Sequence, residues 1–100
     1  MLRVTVEYAD THTTLKVEGS LKGPWVDELK RCWVTLTSTA PRQPMCVDLT
    51  AVGFIAPEGK LLIGEMADAG VELTAAGPMI REIVDEVRAQ SSHTSRHRLG

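Results

Sequence analysis

The stretch CVDLTAVGFIAPEGKLLIGEM, residues 46–66, decides the fold class of this 100-residue chain. Its first residues continue from Met45 as the short, mostly apolar run MCVDL, which is typical of a central strand with covered faces. The run from Pro57 to Ala69 has apolar side chains at helical spacing, and Gly70 is placed to end that helix. Residues 50–55 are predicted to be a loop between them. A strand followed by a helix predicts parallel strands joined by crossovers.

The residues before this stretch predict an antiparallel hairpin and a first helix. Residues 2–7 and 15–18 alternate apolar and polar side chains, as half-buried strands do, and the polar link around Asp10 is short. Pro24 suits the first position of a helix that we expect to end by Ser38. The predicted apolar face of this helix consists of Trp25, Leu29, Cys32, Trp33 and Leu36.

The residues after it predict one more strand and one more helix. VELTAAG, residues 71–77, is typical of a short strand, and Pro78 marks the start of the last helix. The predicted buried stripe of that helix is Met79, Ile80, Ile83, Val84 and Val87. Residues 90–100 are polar and lack an apolar period, so we expect a flexible tail there.

Together these elements predict one α/β domain over residues 1–89. We expect a mixed, mostly parallel sheet with an N-terminal antiparallel hairpin and three main helices packed largely on one face. Single-domain size and ordinary composition, with 43% hydrophobic and 24% charged residues, agree with that expectation.

Composition and charge exclude several classes of function. The net charge of −2 argues against a nucleic-acid partner. No apolar run reaches the roughly 18 residues of a membrane span, and the N-terminal residues lack a signal-peptide pattern, so we expect a cytoplasmic protein. Cys32 and Cys46 form no CxxC motif and are expected to be small buried hydrophobic residues.

Motifs for catalysis and for cofactor or metal binding are absent from the sequence. There is no Gly-x-Ser-x-Gly motif, no phosphate-binding loop and no dinucleotide fingerprint. His93 and His97 are four residues apart, as zinc ligands on a helix can be, but no helix pattern surrounds them and a solvated tail is the favoured interpretation. We therefore predict no enzyme, no cofactor and no metal.

Asp48 and Thr50 follow the predicted central strand, where ligands of α/β sheets gather. They are candidate residues of a small polar site. The alternative, which we favour, is that Asp48 binds N–H groups of the residues that follow it.

Four segments carry a resemblance to a known family. They are LKVEGSL (15–21), CVDLTAVGFI (46–55), GKLL (59–62) and AGVELTAAGPMIREIVDEV (69–87). In this order and spacing, residues 2–89 resemble the STAS domain, the fold of bacterial anti-sigma factor antagonists and of the cytoplasmic tails of sulfate transporters. The resemblance implies a protein-interaction module of sigma-factor or stress signalling. Its partner would be an anti-sigma kinase-like protein or another STAS protein, with a homodimer as a further option.

The resemblance also places a regulatory turn at Ala56–Lys60. Typical antagonists have Asp-Ser-Ser-Gly or Asp-Ser-Thr-Gly there, and a kinase phosphorylates the hydroxyl residue before the glycine. In this chain Ala56 takes the place of the aspartate, Glu58 that of the phosphorylated residue, and Gly59 matches the glycine. Lys22 stands where the family often has an acid. A serine or threonine phosphosite is therefore missing from this turn.

Two interpretations of Glu58 remain open from the sequence. It is either a permanent, partial mimic of the phosphorylated state, or, with Pro57, an ordinary first-turn residue that stabilises a helix start. The predicted contact surface is the turn Ala56–Lys60, the helix that it begins, and the loop 20–25. In that loop Trp25 is an interface anchor or, as we favour, a partly buried residue.

The competing functions are a module that binds nucleotides or small molecules and a structural subunit of a transport complex. For the first, a phosphate would bind at the helix starts near Gly59 and Gly77.

Overall fold

The computed structural model describes residues 2–39 and 43–99, and the side chains among these up to residue 90. Within these ranges the chain forms four strands and three helices. In chain order they are β1 (Leu2–Tyr8), β2 (Thr13–Leu21), α1 (Pro24–Thr39), β3 (Met45–Ile55), α2 (Pro57–Asp68), β4 (Glu72–Thr74) and α3 (Pro78–Leu99).

The sheet has the strand order β1-β2-β3-β4. β1 and β2 pair antiparallel, whereas β2–β3 and β3–β4 are parallel. Both parallel connections step to the next strand in the same direction, so right-handed crossovers put α1 and α2 on the same face of the sheet. The predicted fold class, a mixed and mostly parallel sheet with an N-terminal hairpin and three helices, is confirmed.

The core lies between one face of the sheet and the helices. Alternate residues of β2, among them Leu15 and Val17, are fully buried, whereas Lys16 and Glu18 on the other face are half-buried. This alternation is expected of a sheet with only one covered face. The largest fully buried side chains are Leu15, Val17, Leu21, Leu29, Val47, Leu49, Leu62, Ile63 and Met66.

β3 is longer than the sequence predicted, because residues 50–55 continue the strand and do not form a loop. The pairing with β2 shifts twice, between Lys16 and Glu18 and between Gly19 and Ser20. At each shift β3 contributes one more residue than β2, which defines a β-bulge. Each bulge interrupts the alternation of apolar and polar residues, and this interruption made the segment resemble a loop in the sequence.

The helices begin at the three prolines, Pro24, Pro57 and Pro78, as predicted. One residue of the predicted buried stripe of α3 is misplaced, since Met79 is 62% exposed. The buried residues of α3 are Ile80, Val84 and Val87. At about 100° per residue, Met79 lies about 105° from the centre of that stripe, so it faces away from the sheet.

The backbone of α3 continues through residues 90–99, for which the sequence predicted a tail without a helix pattern. That part of the prediction is corrected. The reason is local, because no proline or glycine interrupts residues 79–99, and polar residues are compatible with an exposed helix. The flexibility of this segment stays a prediction, and the side chains of His93 and His97 lie outside the described residues.

Candidate protein-interaction site at the start of α2

The strands β2 and β3 end side by side, and the two loops that follow them lie close together at this end of the sheet. Leu21 and Ile55 are register partners at the ends of these parallel strands. The N–H group of Ala56 donates a hydrogen bond of 3.0 Å to the carbonyl of Leu21. The turn Ala56–Lys60 therefore lies beside the loop that leads from β2 into α1.

Gly59 allows the first turn of α2 to approach the end of β2 closely. A Cβ atom on Gly59 would lie 2.8 Å from the carbonyl oxygen of Leu21 and 2.9 Å from its Cγ atom. It would also lie 3.2 Å from Cγ2 of Ile55. Only glycine fits this position without a shift of backbone, so Gly59 sets the distance between the helix start and the sheet.

Glu58 joins the two loops through its carboxylate. Its Oε2 atom accepts a hydrogen bond of 3.0 Å from the backbone N–H of Gly23, 35 residues earlier. Gly23 has φ of 57°, in the left-handed region that favours glycine, so its backbone conformation suits this residue type. The loop between β2 and α1 is thus tied to the helix start by a side chain.

The same carboxylate serves the free N–H groups of the first turn of α2. Ala56, the residue before the helix, has no side chain that caps it. The N–H of Gly23, and then the N–H of Glu58 itself, lower the pKa of the Glu58 carboxyl below its usual value. Both donors favour the ionised form, so Glu58 holds a negative charge where the helix has free donors.

Lys60 and Leu61 shape the surface next to this turn. The Lys60 ammonium forms an ion pair with Glu86 of α3. Leu61 is 71% exposed and so lies outside the core, although it belongs to the apolar set that predicted α2. The two side chains line an open groove of about 600 Å³ between α2 and α3, together with Pro57, Gly64, Glu65, Asp68, Val87 and Gln90.

Lys22 and Trp25 complete the surface on the side of α1. The carbonyl of Lys22 accepts a hydrogen bond of 3.2 Å from the N–H of Trp25, and the side chain of Lys22 is exposed. Trp25 is half-buried, in agreement with the partial burial that the sequence favoured. The Glu58–Gly23 bond makes this loop and the turn Ala56–Lys60 one continuous surface.

Asp48 and Thr50 do not belong to this surface. They lie in β3 at its first bulge, and Asp48 is roughly 20 Å along the strand from Ile55. Asp48 Oδ1 accepts hydrogen bonds from the Thr50 hydroxyl at 2.6 Å and from the Thr50 N–H at 2.9 Å. The hydroxyl bond first, and the backbone bond second, lower the pKa of Asp48. The interpretation that Asp48 binds a following N–H group is confirmed, and its role in a ligand site stays a prediction.

Sequence reasoning missed two partners of the site residues. Gly23 lies in the predicted loop, but nothing local indicates that its N–H meets Glu58. Likewise, nothing in the sequence pairs Lys60 with Glu86, which is 26 residues away. Both contacts depend on how the helices pack, and no local pattern contains that information.

Other classes of site have no support in the described part of the chain. Among the side chains described there, no three His, Cys, Asp or Glu residues are grouped so that they could hold a metal ion. Cys32 and Cys46 are both free and half-buried. No helix in the searched residues has the length and apolar character that crossing a membrane requires.

Comparisons with known proteins identify the fold through structure alone. No protein-family model matches the chain, and no curated protein matches its sequence. The structure is similar to that of an anti-sigma factor antagonist from Mycobacterium paratuberculosis, with a TM-score of 0.79 and 18% identity over 92% of this chain and 82% of that one.

Two further solved structures have the same fold. The anti-sigma factor antagonist SpoIIAA in its unphosphorylated form matches with a TM-score of 0.65 and 14% identity, over 83% of this chain and 82% of that one. An uncharacterized protein with a SpoIIAA-like fold from Shewanella loihica matches with a TM-score of 0.52 and 10% identity, over 78% of this chain and 69% of that one. The chain therefore has the fold of a STAS-like domain, as the resemblance predicted.

Proposed function

We propose that this protein is a non-catalytic interaction module of bacterial regulation, similar in role to the anti-sigma factor antagonists and acting in the cytoplasm. In this proposal, Glu58 supplies a permanent negative charge at the position where the family resemblance puts a phosphorylated residue. The hydrogen bond from the Gly23 N–H to the Glu58 carboxylate carries the proposal. An ordinary first-turn glutamate stabilises its own helix, whereas this one also holds a second loop.

The chemistry of the carboxylate limits the mimicry. A phosphoserine carries about −1.5 to −2 charges and three acceptor oxygens, whereas a carboxylate carries one charge and two oxygens. Glu58 directs that charge to donors of its own chain, Gly23 and its own N–H. We infer that its main effect is to hold the loop between β2 and α1 in one conformation, so that no kinase is needed to set the surface.

The proposed partner is an anti-sigma kinase-like protein or another STAS protein. The surface offers an exposed apolar side chain, Leu61, between charged groups that include Lys22 and Lys60. Such a mixture of an apolar centre and a polar rim is typical of protein interfaces. The affinity of the partner for this surface would depend on the conformation that Glu58 imposes, and a kinase would bind that conformation weakly.

The nucleotide-binding and transport-subunit alternatives stay predictions. For a nucleotide at the start of α2, the carboxylate of Glu58 is an obstacle, because it repels phosphate and occupies backbone donors there. A thermal-shift screen with nucleotides tests that alternative, since a ligand at 100 times its dissociation constant stabilises a protein by about 2.7 kcal/mol.

The decisive experiment replaces Glu58 by serine and measures both phosphorylation and binding. Purified anti-sigma kinases are incubated with the wild type, with Glu58→Ser and with Glu82→Ser, which removes an exposed acid from α3 as a matched control. We expect no phosphate at residues 56–60 of the wild type, which contain no hydroxyl group, and phosphate on Glu58→Ser. The family resemblance implies that only the unphosphorylated state binds the kinase, and the wild type carries a permanent mimic of the phosphorylated state. Unphosphorylated Glu58→Ser should therefore bind the kinase about ten-fold more tightly than the wild type, which corresponds to about 1.4 kcal/mol.

Two outcomes would refute the proposal. One is that no kinase or STAS protein binds either the wild type or Glu58→Ser. The other is that Glu58→Ser binds with the same affinity as the wild type and Glu82→Ser. Glu58→Gln keeps an acceptor for the Gly23 N–H without the charge, so it separates the effect of the charge from that of the loop conformation.

A further inference from the structure

The strand β1 leaves one edge of the sheet open. It is the first strand in the order β1-β2-β3-β4, and no strand of the described residues pairs with its outer side. It is seven residues long, without proline or glycine, whereas the opposite edge strand β4 has only three residues. Long open edges are usually protected by proline, a bulge or a central charge, and β1 has none of these at its centre, Thr5.

The sequence of β1 is complementary to itself when it is reversed. In LRVTVEY, the two residues at each distance from Thr5 are either both apolar or of opposite charge. Val4 corresponds to Val6, and basic Arg3 corresponds to acidic Glu7. At the ends, Leu2 corresponds to Tyr8.

We propose that β1 pairs antiparallel with β1 of a second copy of this chain, around a two-fold axis at Thr5, to form one continuous sheet through both molecules. In this register Arg3 of each copy lies opposite Glu7 of the other, which gives two cross-strand ion pairs. Opposite charges at directly facing positions stabilise an antiparallel pair, and like charges destabilise it. The charge complementarity thus identifies the occupant of this edge as the same strand.

The register follows from the two-fold symmetry. Facing residues must have side chains on the same face of the sheet. In the register centred on Thr5 the numbers of two facing residues add up to ten, and in the neighbouring registers that keep the faces matched they add up to eight or twelve. Centring the pair on Val4 or on Val6 separates Arg3 from Glu7. Only the register centred on Thr5 pairs the whole of Leu2–Tyr8 and both charges.

The face of β1 that carries the helices also favours this pairing. Leu2, Val4 and Val6 pack against the core but remain half-buried in one copy, and Tyr8 is 73% exposed. In the paired sheet Leu2 faces Tyr8 and Val4 faces Val6 of the other copy, so apolar area left open at this edge is covered. Burial of such area is the main driving force of association.

The pairing is independent of the proposed function. β1 runs antiparallel to β1 of the second copy, so the two sheets point in opposite directions. The two Glu58 turns, which follow the C-terminal ends of the parallel strands, therefore lie at opposite ends of the dimer. Both turns stay accessible, and loss of the dimer leaves each interaction surface intact.

The proposal is tested by reversing the charges of Arg3 and Glu7, first one at a time, then both in one chain, and then by mixing the two single variants. We expect the wild type to sediment as a concentration-dependent dimer between micromolar and millimolar protein. Glu7→Arg and Arg3→Glu each create two like-charge pairs, which should raise the dissociation constant about ten-fold or more. The double variant Arg3→Glu/Glu7→Arg and an equimolar mixture of the two single variants should both restore the dimer. Glu82→Arg makes the same charge change on α3 and should leave the dimer unaffected.

Folding of the variants is checked by circular dichroism, because Arg3 faces Glu18 within its own chain. If Arg3→Glu unfolds, the double variant is expected to unfold as well, and Glu7→Arg, which faces Thr14, still decides the question when it is compared with Glu82→Arg. A wild type that remains a monomer at every concentration overturns the proposal. So does a dimer that neither reversal weakens, or folded single variants whose mixture does not associate.

Discussion

Replacement of Gly59 by alanine tests how α2 meets the sheet. The added methyl group would lie 2.8 Å from the Leu21 carbonyl oxygen and 2.9 Å from Leu21 Cγ, well inside normal contact distance. One of these atoms belongs to the backbone of a central strand, so it cannot shift without a cost in free energy. Gly64, five residues later in the same helix, offers a matched control, since a Cβ there has no neighbour within 4 Å.

The two substitutions should have opposite effects on stability. Overpacking costs about 1–3 kcal/mol. The gain from glycine to alanine in a helix interior is about 1 kcal/mol and is smaller for Gly59, the third residue of α2. We therefore expect Gly59→Ala to lower the free energy of unfolding by about 1–2 kcal/mol and Gly64→Ala to raise it by about 0.5–1 kcal/mol.

Urea denaturation of both variants, followed by circular dichroism, measures this difference. For a domain of this size, 1 kcal/mol corresponds to about 4–8 °C in Tm, so thermal unfolding should separate the variants by roughly 10 °C. If Gly59→Ala is as stable as Gly64→Ala, the helix start does not approach β2 as described. The position of the Glu58 carboxylate beside Gly23 would then lose its structural basis.

Two further predictions concern acid sensitivity and the orientation of α2. Because the folded-state pKa values of Asp48 and Glu58 are lowered, both carboxylates stabilise the fold above the usual carboxylate pKa, and this stabilisation is lost as the pH falls through the lowered values. Asp48→Asn should therefore flatten the fall of the free energy of unfolding below about pH 4, and an unchanged slope in a urea series would contradict this. Ile63→Ala, at a fully buried position, should lower the free energy of unfolding by about 2–5 kcal/mol, whereas Leu61→Ala, at a position 71% exposed, should change it by no more than about 0.5 kcal/mol. Equal losses of the two variants in urea denaturation would mean that α2 is rotated.

Much of the candidate surface could be predicted from short-range patterns and from the resemblance to a family. Proline marked the starts of all three helices, and the turn Ala56–Lys60 was expected at the start of α2. What Glu58 touches could not be predicted in this way. Its partner Gly23 is 35 residues distant, and the two meet only because β2 and β3 end side by side.

Errors of the sequence-based predictions have a common physical origin. Residues 50–55 were expected to be a loop because two bulges break the period of two that identifies a strand. Met79 was expected in the core because it is apolar and adjacent to a buried stripe, but the helix rotates it away from the sheet. In both cases local character was compatible with two structures, and packing selected one.

The sequence by itself determined the order of the elements, the starts of the helices and the strand that has a self-complementary charge pattern. These properties depend on the backbone preferences and side-chain periodicity of residues within about one or two helical turns of each other. Only the tertiary structure decided why residue 59 is glycine, which loop Glu58 holds, and which apolar side chains stay exposed. Those properties depend on distances between elements that are far apart in the chain, and such distances exist only after the helices have packed on the sheet.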